Sequence, residues 1–348
     1  MVGIVEIAER TGLSKATVSR ALRGLPTVTA ETTRTVRRAA AELGYIPSVA
    51  AAGLATGRNQ AIGALVPVLD RWFYTHVLEG ADAEFRRRGY DLLLYNLGGG
   101  PGERDRVFHR SILRRRIDGL LVLALTFTPD EQEQLQQTEF PTIAVGGPTA
   151  GVRHIGIDDH QVSYLATAHL IELGHTRIAQ IGGSDLLGLN ASVPSNRLSG
   201  FRYAMADAGL PVREEWIVDG RYDFGGGVEA TRQLFAGPEV PTAVFATSDE
   251  MAFGAMTELR RRGLRVPEDV SVIGIDGHED AAHYGLTTVA QSPSDQGRLA
   301  ARKLLDEIEG APPADGFDPA PFAFVIRTST APPPAAPAPS PAAPAPSA

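Results

Sequence analysis

Between residues 4 and 43 the apolar positions recur at helical spacing. Beyond residue 60 they come in short unbroken runs. Ile4, Ile7 and Ala8 form one stripe, ended by Thr11-Gly12-Leu13. Ser14 can cap a second helix, in which Val18, Ala21 and Leu22 share a face. Thr29 can cap a third, with Val36, Ala39, Ala40 and Leu43 inward and Gly44 as its stop.

The later runs read as buried strands: AIGALVPV (61–68), YDLLLYN (90–96), DGLLVLAL (118–125) and PTIAV (141–145). Amphipathic segments separate them, among them EGADAEFRRRG (79–89) and RVFHRSILRRR (106–116). The alternation restarts at TRIAQIGG (176–183) and continues through TAVFATS (242–248) and VSVIGID (270–276), interleaved with further helical segments. Such alternation predicts α/β architecture: doubly wound parallel sheets with helices on both faces. Two blocks imply two similar lobes. From Ala331 onward the chain is Pro/Ala low complexity, which predicts an extended or disordered tail over 331–348.

Charge separates these regions. The chain has a net charge of −8, yet residues 1–58 hold eight basic against four acidic side chains. A small basic head on an acidic body suggests that only the head approaches a polyanion. There is no Cys, which excludes disulfides and thiolate metal sites and fits a reducing cytoplasm. No apolar run reaches the roughly 18 residues of a membrane span, and the N-terminus lacks a signal peptide's apolar core.

The head meets the demands of a helix-turn-helix. Ala8 is small where two helices cross, Gly12 tolerates positive φ in the turn, and Val18 locks the second helix, with Ile7, Leu13 and Ala21 in support. Lys15, Ala16, Ser19 and Arg20 are then exposed, and the basic pair can read guanine edges in the major groove. Ser14 and Thr17 suit phosphates, which set register. Any helical hairpin with a basic solvated face would share these features.

The sequence that follows narrows the choice. VGIVEIAERTGLSKATVSRALRG (2–24) and GYIPSVAAAGLATGRNQAIGALVP (44–67) resemble the LacI family of bacterial transcription regulators. The resemblance continues in family order through LIELGHTRIAQIGG, RLSGFRYAM, SDEMAFGAM, VPEDVSVIGID and LTTVAQ. It implies a DNA-binding headpiece over 1–46, a hinge over 47–58 and a two-lobed effector-binding core over 59–330. That core is like those of periplasmic sugar-binding proteins. Lobe 1 is expected at 59–160 and 292–320, and lobe 2 at 161–291 and 321–330. It also implies a homodimer on a near-palindromic operator, with Leu54 wedged into a minor-groove step. Departures are Gly3 at the first cap, Arg23 in place of a common Asn, where it can add a phosphate contact, and Ala52-Gly53 in the hinge. The glycine weakens a hinge helix by about 1 kcal/mol relative to Ala.

Ligands of parallel sheets lie at the carboxyl ends of strands. Asp70, Arg71, Trp72, Phe73 and Tyr74 follow one predicted strand; Ser248 and Asp249 follow another; Asp276 ends a third. Asn196 and Arg197 open a helix, and Tyr222 follows a short strand near Trp216. Aromatic faces together with carboxylate, amide and guanidinium groups suit a sugar. Individually, such aromatics also serve as core and such acids as helix caps. By resemblance, Arg197 and Asp276 hold ligand hydroxyls or ring atoms, Tyr222 stacks on the ligand, and Phe73 and Tyr74 contact it from lobe 1. Ser248 replaces an amide, and Asp249 is a helix cap. The expected effector is a sugar that releases an operator-bound repressor, and the aromatic run at 72–74 favours one longer than a monosaccharide. A nucleobase is the alternative, as ligand of a corepressor-dependent regulator.

Catalysis and metal binding find little support. Gly98-Gly99-Gly100 and Gly225-Gly226-Gly227 form neither a dinucleotide fingerprint nor a phosphate loop. His154 and His160 flank Asp158 and Asp159 without zinc spacing, and a strand edge followed by a capped helix explains them. His175 reads as structural. The expectation is therefore no enzyme, no cofactor and no metal.

Overall fold

The computed structural model describes residues 2–45, 58–98, 102–109, 116–138, 140–149, 151–183, 192–313 and 316–334. They fall into two compact units, Met1–Asn59 and Gln60–Ala348. The expected hinge helix, Leu54 included, and the tail beyond residue 334 lie outside the described residues.

The first unit is three helices: α1 (Ile4–Thr11), α2 (Lys15–Leu22) and α3 (Ala30–Glu42). Their spacing buries Ile7, Val18, Ala21 and Val36 completely in one small core, with Leu13, Leu22 and Leu43 packed against it. Gly12 closes α1 at φ 70°, a left-handed turn that glycine adopts without Cβ strain. Ser14 Oγ accepts the Thr17 N–H at 3.1 Å, and Thr29 Oγ1 accepts the Thr32 N–H at 3.2 Å. At Gly3 the backbone N–H donates to Glu6 Oε2 at 2.8 Å, so the first turn is tied without a capping side chain.

The second unit begins with β1 (Ala61–Val66), α4 (Trp72–Arg87), β2 (Asp91–Asn96), α5 (Glu103–His109), β3 (Gly119–Leu123), α6 (Pro129–Gln136), β4 (Thr142–Val145) and β5 (Arg153–Gly156). There follow α7 (Asp159–Glu172), β6 (Ile178–Gly182), α8 (Ser192–Asp207), β7 (Ile217–Asp219), α9 (Phe224–Leu234), β8 (Ala243–Ala246), α10 (Asp249–Arg261) and β9 (Ser271–Asp276). The last elements are α11 (Ala281–Tyr284), β10 (Thr287–Gln291), α12 (Pro293–Ile308), β11 (Phe317–Pro319) and β12 (Phe322–Val325).

These strands build two six-stranded sheets. The first, in lobe 1, runs β2-β1-β3-β4-β5-β11 and is parallel throughout. The second, in lobe 2, runs β7-β6-β8-β9-β10-β12, with only β12 antiparallel. Each block therefore reverses strand order at the same place, between its first and third strands, where parallel sheets open a crevice at their carboxyl ends. The chain passes between the lobes after β5, after β10 and between β11 and β12.

In lobe 1, α4 and α12 pack backbone to backbone. A Cβ on Gly80 would lie 1.9 Å from the Ser294 carbonyl oxygen, and one on Gly297 would lie 2.0 Å from that of Val77. Helix α4 begins at Trp72, a full two turns before the periodic segment at 79–89, so Trp72, Phe73 and Tyr74 form its first turn rather than a loop. In lobe 2 the chain end is a strap. The buried Ser329 Oγ accepts the Thr287 N–H and donates to the Val272 carbonyl. The Ala331 carbonyl accepts from His175 Nε2 at 2.8 Å and from Ser271 Oγ at 3.0 Å. His175, buried in this network, has a structural role, and Ala331, expected to open the free tail, is anchored instead. Among the described residues no helix is long and apolar enough to cross a membrane.

Because backbone atoms cannot yield as a side-chain tip can, Gly80→Ala forces α4 and α12 apart. It should cost about 3 kcal/mol in urea unfolding, the upper range for overpacking, with the far-ultraviolet circular dichroism unchanged. A loss below about 0.5 kcal/mol would contradict this packing.

Candidate functional site

On the head, Lys15, Ala16, Arg20 and Arg23 are exposed, while Thr17 and Ser19 are half-buried on the same helix and its flank. Arg20 Nε and Arg23 Nε donate to the carbonyls of Ala16 and Ser19 one turn back. The ion pairs of this unit join Arg10 and Arg38 to Glu42; none uses Lys15, Arg20 or Arg23 among the described residues. Three cations without an ion pair among the described residues therefore lie on and just beyond one short helix. Ser14, its cap, also has its hydroxyl within 2.9 Å of the Thr17 hydroxyl.

In the second unit a cavity of about 190 Å³ lies between the lobes. Phe73, Tyr74 and Tyr222 give it three aromatic walls, and Val68, Ile157 and Val193 add aliphatic surface. Glycines seat the rings. A Cβ on Gly146 would lie 2.7 Å from Phe73, and one on Gly183 would lie 1.8 Å from Tyr222. Burial holds the Tyr74 and Tyr222 hydroxyls neutral, Tyr222 being pushed up to about 12.

Arg197 is the cavity's buried cation. Its Nε donates to Asp159 Oδ1 at 2.8 Å, and its Nη1 donates to the Thr247 carbonyl. Burial opposes the charge, but Asp159, Tyr222 and Asp276 outweigh it and hold the guanidinium above its ordinary value. Asp276 Oδ1 accepts from Gln291 Nε2 at 2.8 Å. Burial pushes this carboxyl up to about 6, opposed by Arg197 and by the Gln291 donor. Five non-glycine residues have positive φ among the described residues, and four of them line the cavity: Ala124 (42°), Arg221 (54°), Tyr222 (51°) and Asp276 (131°). Strained backbone gathers where ligands are held.

The expected ligand residues divide. Phe73, Tyr74, Arg197, Tyr222, Ser248 and Asp276 all line the cavity. Asp70 does not; it is exposed and paired with Arg71 at 2.8 Å. Trp72 does not either. Its ring lies tilted against His76 and His278, at 4.5 and 5.0 Å, and its Nε1 donates to Glu279 Oε2 at 2.5 Å, a link from lobe 1 to lobe 2. Asn196 faces a separate hollow beside His154 and Phe317. Helical geometry is the reason: at about 100° per residue Val193, Pro194 and Arg197 point to one side of α8, and Ser195 and Asn196 to the other. Ser248 caps α10 by accepting the Met251 N–H at 3.3 Å, the role expected of Asp249. Asp249 instead accepts from Gly277 N, His278 N and Thr288 Oγ1, stitching α10 to β9 and β10. Asp159, Glu250 and Gln291 line the cavity without having been singled out as contacts. Gln291 ends a strand and was findable by the rule that found Asp276. Asp158 caps α7 by accepting the Gln161 N–H at 2.9 Å, as the spacing of that segment required. Among the described residues no group of three or more His, Cys, Asp or Glu could hold a metal ion.

The family model for bacterial regulatory proteins of the lacI family matches residues 3–48, and that for a periplasmic binding protein-like domain matches 167–330. The HTH-type transcriptional repressor PurR of Vibrio parahaemolyticus is 35% identical over 314 residues, spanning 89% of this chain and 92% of its own. The chain belongs to the LacI family. It is a DNA-binding transcriptional regulator and not an enzyme. Among solved structures, a transcriptional regulator CelR–cellobiose complex is 30% identical with a TM-score of 0.69, over 94% of this chain and 100% of that one. The lac repressor dimer bound to operator and the anti-inducer ONPF is 26% identical with a TM-score of 0.83, over 95% and 99%. The family's two-lobed α/β core and helical head account for both units described above.

Within the cavity, replacing Arg197 by Met strands the Asp159 carboxylate without its partner. Arg197→Met should cost about 3–5 kcal/mol in urea unfolding, the usual penalty for breaking a buried pair. Adding Asp159→Asn should restore part of that loss. Additive losses in the double variant would show that the two side chains are not coupled.

Proposed function

We propose that the protein is a cytoplasmic repressor that binds a near-palindromic operator as a homodimer and responds to a small ring-shaped effector in the interlobe cavity. Lys15, Ala16, Ser19 and Arg20 read bases, Ser14, Thr17 and Arg23 hold phosphates, and Leu54 is the minor-groove wedge. The observation that carries this is the pairing, on one chain, of a basic helix whose cations make no ion pair among the described residues with an aromatic cavity between two lobes. The lac repressor dimer on its operator supports the assembly. Effector binding biases lobe orientation, and the hinge segments of the dimer change their fit to DNA.

The cavity favours a flat nitrogen heterocycle of nucleobase size over a sugar. Three aromatic rings offer stacking faces, and several of the polar groups are engaged within the protein: Arg197 with Asp159, Asp276 with Gln291, Ser248 with the Met251 N–H. Arg197 and Asp276 together present a donor beside an acceptor, which complements the carbonyl and N–H edge of an oxo-heterocycle. The volume, below the ~300 Å³ lower bound of drug-sized sites, suits a single ring system rather than a chain of sugars. Phe73, Tyr74 and Tyr222 would stack, Arg197 and Asp276 would fix the polar edge, and Ser248 would lie at its margin. A monosaccharide is the second reading, supported by the cellobiose in the CelR structure.

Fluorescence anisotropy with the duplex flanking the gene and a scrambled duplex tests the first half. Binding should be sequence-dependent and fall steeply with salt, and Lys15→Ala and Arg20→Ala should each weaken specific binding by about 1–3 kcal/mol. Equal binding to both duplexes, followed by failure to select any sequence from random DNA, would sink it. Thermal melting with hypoxanthine, guanine and adenine against ribose, glucose and cellobiose tests the second half. A shift with bases alone supports the heterocycle, and a shift with sugars alone overturns it.

A further inference from the structure

A second hollow opens beside the β11 edge of the first sheet, the edge opposite β2. It has a volume of about 870 Å³ and draws on both lobes: Thr126, Pro148, His154 and Phe317 from lobe 1, Ser195 and Asn196 from lobe 2. Among the described residues none lines both this hollow and the inner cavity. The partition is made by chain neighbours that face different ways. On α8, Val193 and Pro194 line the inner cavity, whereas Ser195 and Asn196 line the hollow. Gly147 and Pro148 divide in the same manner, as do Gly156 and His154 at the end of β5.

A flat ring pair forms one wall. His154 and Phe317 are register partners in β5 and the edge strand β11, and their rings stack at 4.8 Å and 22°. The next residues, Arg153 and Asp318, point to the other face of the sheet and pair at 2.6 Å, which pins the two strands together. Phe317 is 44% exposed, a large apolar ring left partly uncovered.

The polar lining is open. The side chains of Thr126, Ser195 and Asn196 and both ring nitrogens of His154 have no hydrogen-bond partner among the described residues. Burial holds the His154 imidazole below its ordinary value, against the pull of the Asp318 carboxylate. The neutral ring offers one donor and one acceptor. Among the described residues no Asp, Glu, Lys or Arg lines the hollow, so a charged ligand would find no counter-ion there.

We propose that this hollow is a second ligand site, and that it takes an uncharged saccharide. Phe317 and His154 cover the C–H face of a sugar ring. Hydroxyl, amide and imidazole groups both donate and accept, as sugar hydroxyls do, and Thr126, Ser195, Asn196 and His154 supply all three kinds. A flat heterocycle gains most where both its faces are covered. The inner cavity offers that with Phe73, Tyr74 and Tyr222; the hollow has aromatic surface on one wall. Its volume lies within the ~300–1,000 Å³ usual for ligand sites and admits more than one sugar ring. The proposal holds whichever ligand occupies the inner cavity.

Saturation-transfer difference NMR on the full chain tests it, with ribose, glucose and cellobiose as probes. At least one should receive saturation, strongest at its ring C–H protons. Phe317→Ala should weaken its binding on the order of tenfold, and Asn196→Ala about threefold to tenfold, the worth of one side-chain hydrogen bond. Both residues are exposed or partly exposed, and Asn196 has no partner to lose, so that variant keeps the test clear of misfolding. Asp276→Asn, inside the inner cavity, should leave the saccharide signal at full strength. A signal that either outer substitution leaves unweakened overturns the proposal. Loss of the signal in Asp276→Asn overturns it too, because the sugar then sits in the inner cavity. Absence of saturation in all three probes overturns the saccharide site outright.

Discussion

The buried pair of Arg197 and Asp159 is the interaction around which the core is arranged. Asp159 opens α7, where the chain first enters lobe 2, and Arg197 lies in the first turns of α8, which packs along α7. A charge in that position is tolerable only with a partner and with its remaining protons satisfied. Asp159 supplies the partner and the Thr247 carbonyl accepts a further proton, and they come from separate strand-to-helix connections. The guanidinium therefore fixes the relation of three segments at the end of the second sheet. The strained backbones of Tyr222 and Asp276 lie in the cavity that the same pair helps to line.

Lobe 1 contributes differently. It offers aromatic surface seated on Gly146 and the open start of α4, while lobe 2 offers most of the cavity's acids. The junction links include Arg71 with Asp223 and Trp72 with Glu279. A face held by polar and electrostatic links can separate at lower cost than one held by buried apolar area, because water replaces the lost partners. By contrast, α4 and α12 within lobe 1 meet backbone to backbone and cannot slide. A ligand-biased equilibrium needs rigid lobes whose junction can rearrange.

The division of charge along the chain parallels this division of labour. Among the described residues Lys15, Arg20 and Arg23 of the head make no ion pair, whereas much of the core's arginine is paired, as in Arg88 with Asp306 and Arg153 with Asp318. An acidic body repels a polyanion and leaves the basic helix as the element able to approach it.

The sequence alone determined the local features. Helical spacing and caps at Ser14 and Thr29 specified the head, because each depends on residues within one or two turns. The unbroken apolar runs specified both sheets, and the ordered motifs identified the family. Phe73, Tyr74, Arg197, Tyr222 and Asp276 were legible as cavity residues because strand ends converge in a parallel sheet. Tertiary structure alone decided which neighbours turn inward: Asn196 away from Arg197, Trp72 to the junction, Ser248 to the cap and Asp249 to the strands. It also gave Glu250 and Gln291 their places and anchored Ala331 through His175. Those assignments depend on contacts between segments far apart in the chain, such as Trp72 with Glu279, and no local pattern encodes the approach of two lobes.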